Sequence, residues 1–351
     1  MKQRFSSLSL AMALALGQAA PASACSRAEY HGLDGLNITG RTMDWKDPIP
    51  ASLWILPRGM HHDGLAGPHS VQWTSKYGSV AVSAFGIASA DGMNEKGLVA
   101  NMLWLAGAKY PEPEHPDNTL SISLWVQYFL DNFATVNEAV QAMQQHPLQV
   151  ASAVIPGTDT YTTVHLSISD ASGDNAIFEY IDGKLVIHHN RDYQVMTNEP
   201  AYDQQLALAS YWEDVGGTTF LPGTNSSADR FARASFYIHA IPRTADGPQG
   251  VAEVMSVMRN VSVPIGISTP DKPNISNTRW RVVADQKNLK YYYEAVTTPN
   301  TFWVSLNEAN FNAGAPVLRL PLEEQQIYSG DATKDFKPSK LFEFMSISPK
   351  Q

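Results

Sequence analysis

The chain has 351 residues, 44 % hydrophobic and 17 % charged, with a net charge of −9. That acidic balance argues against nucleic acid as a partner, since phosphate binding wants concentrated Lys and Arg, and the hydrophobic share is enough for a substantial core. A single cysteine excludes an intrachain disulfide, so stability rests on packing or on subunit association.

The first segment reads as a secretory signal. Lys2 and Arg4 give a positive start, Leu8 to Leu16 form a short apolar run, and Ala22-Ser23-Ala24 supplies the small residues of a cleavage site. The run is well short of the roughly 20 residues that span a bilayer, so no stable membrane anchor is expected. Cleavage falls before Cys25, leaving residues 25–351 as a single domain, periplasmic or secreted.

Beyond the cut, Leu36 to Asp44 alternates apolar and polar residues as a strand, and Tyr77 to Ile87 reads as a buried one. Asp91-Gly92 predicts a hairpin turn, with the chain running through Gly97 into a second strand from Leu98 to Leu105. From Ser121 the positions Ile122, Trp125, Val126, Phe129 and Phe133 follow helical spacing, and Thr135-Val136-Asn137-Glu138 has the form of a capping box opening a second helix. Paired strands follow over Thr160 to Asp170 and Asn175 to Ile187, with turns at 171–174 and at Asp182-Gly183. Gln194 to Pro200 reads as a strand end and a tight corner holding Asn198. Helices are predicted at Tyr202 to Glu213, Ser227 to Ile241 and Val251 to Arg259. Strands return at Thr278 to Asp285, Tyr291 to Val296 and Thr301 to Leu306. Sheets supplied by both ends of the chain imply a pair of packed sheets flanked by helices, an α+β architecture.

Cys25 carries the chemistry. As an ordinary buried thiol it would need no explanation, but it is the only cysteine and stands at the first position after the cut. As an acylated cysteine it would anchor a non-catalytic binding protein to a membrane, although Ala22 stands where such signals carry a Leu-like residue. As an N-terminal nucleophile its thiol attacks a carbonyl while its own α-amino group, which ordinarily titrates at about 7.7 to 8.0, takes the proton. Taken alone, Arg41 and Asp44 fit a local surface ion pair, Asn198 fits a turn residue bonded to its own backbone, and Arg230 fits a solvated side chain, though a cation in the first turn of a helix opposes the dipole. The pairs His61-His62 and His188-His189 lack the fixed-spacing partners of a metal site and read as loop or surface histidines. No dinucleotide or phosphate loop appears, so no cofactor is expected.

Five stretches together resemble the choloylglycine hydrolase family of N-terminal nucleophile hydrolases, which includes penicillin V acylases and conjugated bile acid hydrolases. They are Cys25 at the cut, Gly40-Arg41-Thr42-Met43-Asp44, Asp91-Gly92-Met93-Asn94-Glu95-Lys96-Gly97-Leu98, Thr197-Asn198-Glu199-Pro200, and Leu221-Pro222-Gly223 followed by Ser226-Ser227-Ala228-Asp229-Arg230-Phe231. The resemblance implies a four-layer αββα sandwich, a small-molecule N-acyl amide as substrate and a homotetramer. Carried over, it makes Cys25 nucleophile and base and has Asp44 orient the amine. Arg41 and Arg230 place positive charge near the sulfur, and Asn198 donates to the oxyanion. Many members carry a second oxyanion Asn where this chain has Trp104, a residue that with Trp45 would wall an apolar pocket. Such a pocket suits penicillin V or N-acyl homoserine lactones, with glycine- or taurine-conjugated bile acids as the alternative.

Overall fold

The computed structural model describes residues 25–112, 118–155, 157–268, 275–298, 300–322 and 326–347. The signal expectation for residues 1–24 lies outside them.

Two large sheets face each other. The first runs, in spatial order, Val195–Met196, Ser26–His31 (β1), Asn37–Trp45 (β2), Asn277–Asp285, Lys290–Ala295, Thr301–Ser305 and Gly330–Asp331. The second runs Lys184–His189, Asn175–Ile181, Val164–Ser169, Val99–Trp104, Ala88–Asn94, Ser79–Ala84, Ala51–Leu56, Leu318–Pro321 and Lys337–Pro338. Helices α1 (Trp125–Asn132) and α2 (Val136–Gln145) cover the outer face of the second sheet, whereas α3 (Tyr202–Val215), α4 (Ser227–Ala240) and α5 (Gly247–Asn260) lie on the side of the first, α4 and α5 packing directly on it. This is the αββα sandwich that the resemblance implies.

Alternation along the strands feeds two cores. In Ala51–Leu56, Leu53 and Ile55 enter the core between the sheets while Trp54 and Leu56 enter the one beneath α1 and α2. Val164–Ser169 departs from this pattern: Val164, Leu166 and Ile168 join the outer core, and His165, Ser167 and Ser169 on the opposite face are buried polar residues. Polar groups therefore sit inside the sandwich and need partners there.

The hairpin expected at Asp91-Gly92 is displaced. Both residues lie within Ala88–Asn94, and the turn comes at Glu95 to Gly97, where Gly97 takes φ +82°. Gly92 serves packing instead, since a Cβ there would stand 2.7 Å from Leu130 of α1. The Asp182-Gly183 turn forms as expected, with φ of 48° and 78°. The helix predicted from Ser121 begins as a short 3₁₀ turn, Ile122–Leu124, capped by the Ser121 hydroxyl. In the capping box Thr135 accepts from the Glu138 N–H at 3.2 Å, and the Glu138 carboxylate reaches Ala134, one residue before the cap.

Candidate active site

β1 begins beside Cys25, which is 3 % exposed. Antiparallel pairing sets Ser26 opposite Thr42 of β2, so the sulfur lies against the Asp44 backbone, 3.5 Å from its N and 3.7 Å from its O. Burial raises the pKa of the thiol, and this outweighs Arg41 and Arg230, which pull it down. The arginines favour thiolate, as the resemblance implies, while desolvation works against them.

Arg41 and Asp44 are not a surface pair. Both are fully buried, and three residues apart on one strand they point to opposite faces. Arg41 enters the space between the sheets, where its Nη1 lies 3.2 Å from Asp91 Oδ2, while its Nη2 donates to the Met102 carbonyl at 2.9 Å and stands 4.0 Å from Cys25 Sγ. Asp91 is further held by the Tyr291 hydroxyl at 2.7 Å and the Asn101 amide at 2.9 Å. Burial raises its pKa to about 6 against the pull of Arg41, Tyr291 and Asn101. Asn101 is thereby committed to Asp91.

Asp44 turns toward the helix layer. Burial lifts its carboxyl to about 6 in spite of Arg230, Thr278, Arg41 and Thr42. Its Oδ2 accepts from Thr42 at 3.2 Å, but Oδ1 is buried with no hydrogen-bond partner. In the 351-residue chain Cys25 follows Ala24, so its nitrogen is an amide with one hydrogen, and that hydrogen goes to Asn198 Oδ1 at 2.7 Å. An ammonium at the same nitrogen would carry two further hydrogens.

Asn198 bonds away from its own backbone. Its Oδ1 takes donors from Cys25 and from Arg230 Nη2 at 2.8 Å, which fixes the amide orientation and leaves Nδ2 to donate to the Trp104 carbonyl at 2.8 Å. One Nδ2 hydrogen remains. Arg230 is fully buried in the first turn of α4 rather than solvated: Nη1 donates to the Cys25 carbonyl at 2.6 Å and to Ser26 Oγ at 2.7 Å. It clamps the main chain of the nucleophile and makes no contact with the sulfur.

The corner carrying Asn198 is held from behind by residues that sequence reasoning missed. His165 sits between the Thr197 carbonyl at 2.7 Å and Glu179 at 2.9 Å, and Glu179 also meets His188 at 3.2 Å and the Tyr202 N–H at 3.0 Å. His188 is thus buried, not a surface histidine; His62 is buried as well, stacked on Trp73 at 5.0 Å and pushed down to about 4 by burial and by His61. Burial raises the Glu179 pKa, but the hydrogen bonds of His165 and His188, the charge of His165 and the Tyr202 N–H overcome it and bring the carboxyl to about 2, from an ordinary 4.5. A depressed folded-state pKa contributes stability above pH 4.5 that is lost as pH falls toward 2. The Tm advantage of wild type over Glu179→Gln should therefore be full above about pH 5 and shrink toward pH 2, as a series of thermal melts would read; a constant gap would contradict this.

Trp45 and Trp104 are half-buried and meet edge to face at 5.5 Å, with Phe85 6.3 Å from Trp45. Together with Met43, Met102 and Ile122 they line a pocket of about 710 Å³, mouth included, that opens on Cys25 and Arg41. The walls are almost wholly apolar. A buried thiol with a guanidinium beside it lines the apolar pocket, while Asn198 holds the cysteine's main chain from outside it, a layout suited to attack on an acyl carbonyl.

Comparison with known proteins agrees. The chain is 48 % identical to a penicillin V acylase of Pectobacterium atrosepticum over 96 % of either sequence. The penicillin V acylase structure from Agrobacterium tumefaciens superposes with a TM-score of 0.85 at 50 % identity, covering 92 % of this chain and all of that one. A conjugated bile acid hydrolase of Clostridium perfringens shares the fold at 20 % identity, with a TM-score of 0.73 over 87 % of this chain and 98 % of that one. The family model for linear amide C–N hydrolases of the choloylglycine hydrolase family matches residues 25–319, beginning at the cysteine itself, and the chain belongs to that family.

Proposed function

We propose that this linear amide hydrolase is an exported enzyme that cleaves penicillin V and related N-acyl amides, N-acyl homoserine lactones among them, once Ala24 has been removed to free the Cys25 amine. The observation that carries the reading is the aromatic pocket opening on a buried thiol. The acyl group enters the apolar pocket that Trp45 and Trp104 help to wall. The Cys25 thiol passes its proton to its own α-amine as sulfur attacks the carbonyl, and the second Nδ2 hydrogen of Asn198 meets the oxyanion. The amine then returns the proton to the departing nitrogen as the C–N bond breaks. Water, deprotonated by the same amine, attacks the thioester, releasing the acid and restoring the thiol.

Support for penicillin V over a bile salt comes from the likeness to penicillin V acylases at 48 % and 50 % identity, against 20 % for the bile acid hydrolase structure. Burial of Cys25 between β1, Asp44 and Arg230 also supports catalysis over lipid anchoring, because a diacylglyceryl group on this sulfur has no exposed position. A homo-oligomer fits the apolar side chains Leu208, Tyr211 and Val215 exposed on α3. The deciding experiment compares kcat/KM on penicillin V, a long-chain acyl homoserine lactone and glycodeoxycholate, with mass spectrometry of the purified N-terminus. A preference for glycodeoxycholate would reverse the substrate order, and a lipidated Cys25 would end the reading. Asn198→Ala should lower kcat by about 10² to 10³ on penicillin V, the cost of one oxyanion donor. A loss below tenfold in steady-state assays would place the oxyanion elsewhere.

A further inference from the structure

Residues 339–347 form no regular strand or helix, yet they are fixed at several points. Ser339 donates its N–H to the Val317 carbonyl at 3.0 Å, and Ile347 donates to Leu65 at 3.1 Å. Between them Phe342 rests on Trp54 at 5.4 Å, and Phe344 lies on Phe342 at 4.5 Å. Three bonds converge on Met345. Its N–H donates to the Ile87 carbonyl at 3.0 Å, and its carbonyl accepts from Ser121 Oγ at 2.5 Å and Ser123 Oγ at 2.7 Å. With its backbone so held, Met345 is fixed among the residues that line the pocket opening on Cys25, beside Ile87, Ile122 and Ser123. The same bond to Ile87 secures the turn at Phe85 and Gly86, whose φ values of 55° and 66° place Phe85 and Ile87 in that pocket too. This segment lies beyond the stretch that the family model matches, which stops at residue 319.

We infer that Met345 is a specificity-determining residue, a wall carried on the C-terminal strap that sets the length and bulk of the acyl group the enzyme accepts. The inference rests on the reading that this pocket receives the acyl chain. Methionine suits such a wall: it is apolar, makes no hydrogen-bonding demand, and its unbranched side chain shifts among rotamers to follow different shapes. The strap fixes where the wall stands and the side chain decides how far it reaches.

The test uses p-nitroanilides of butanoic, octanoic, dodecanoic and phenoxyacetic acids with the purified mature enzyme and with Met345→Ala, Met345→Phe and Met345→Leu. Each added methylene in apolar contact is worth roughly fourfold. Met345→Ala should therefore raise the dodecanoyl-to-butanoyl ratio of kcat/KM by about tenfold, Met345→Phe should lower it by a similar factor, and Met345→Leu should stay near wild type. The phenylalanine variant reads the same boundary from the opposite side if the alanine variant folds poorly. Activity retained with the same chain-length profile in both would overturn the role of Met345 and leave the amidase reading standing. Wild-type enzyme inert on all four anilides and on penicillin V would overturn the underlying reading, and this inference with it.

Discussion

Cys25→Ala should abolish amide hydrolysis, with kcat falling on the order of 10⁶-fold, as when a protease loses its nucleophile, while the fold survives. The sulfur is the only thiol in the chain and lines the apolar pocket. The remaining groups cannot substitute for it: Arg41 and Arg230 carry no nucleophilic lone pair, and Asp44 faces the helix layer. Stability should change little, because the sulfur makes only long contacts to the Asp44 backbone and an alanine keeps the Cβ and the main-chain bonds to Asn198 and Arg230. Penicillin V turnover measured beside circular dichroism and Tm checks both halves. Hydrolysis persisting above about a hundredth of wild type would sink the mechanism, and a collapsed spectrum would show that the thiol is structural.

The largest effect on stability should come from Asp91→Ala. It removes the carboxylate from Arg41, Tyr291 and Asn101 together, leaving a guanidinium buried between the sheets. Breaking such a pair from one side costs about 3 to 5 kcal/mol, and at roughly 2 to 4 °C per kcal/mol for a chain of this size the Tm should fall by about 10 °C. The ion pair is close, at 3.2 Å, but Arg41 Nη1 and Asp91 Oδ2 lack the alignment of a hydrogen bond, so charge compensation supplies most of its worth. Asp91→Asn should accordingly recover only part of the loss, by keeping the acceptor for Tyr291. Activity should drop as well, because Arg41 loses the partner that holds it near the sulfur. Urea and thermal melts of the two variants test this; a shift under about 2 °C for Asp91→Ala, below what one kcal/mol produces, would show that Arg41 is satisfied by Met102 alone.

Much of the fold and site was legible because it is written locally. Helical spacing, the capping box at Thr135 and the Asp182-Gly183 turn all act over a few residues, and Cys25, Arg41, Asp44, Asn198 and Arg230 lie in short stretches with recognisable order. Their environments were not legible. Asp91 precedes a glycine and so reads as a turn, whereas its burial depends on Arg41, fifty residues earlier, and Tyr291, two hundred later. His165 alternates with Leu166 and Ile168 as a solvent-facing residue would; only the opposing sheet turns that polar face inward. Met345 carries no local signal at all, since its place in the pocket arises from bonds to Ile87, Ser121 and Ser123.

β2 carries a further consequence. Gly40 lets α5 approach closely, since a Cβ there would stand 2.7 Å from Met258, and the residues on either side alternate between that helix and the opposing sheet. A one-residue slip of this strand exchanges the faces of all its side chains. Arg41 would then turn toward Arg230, and Asp44 toward Asp91, so two attractive encounters would become two repulsive ones inside a dry interior. A point substitution in β2 alters one contact, but a single codon gained or lost within it inverts the electrostatics of the whole site at once. Length, more than composition, is the heritable property that this strand has to keep.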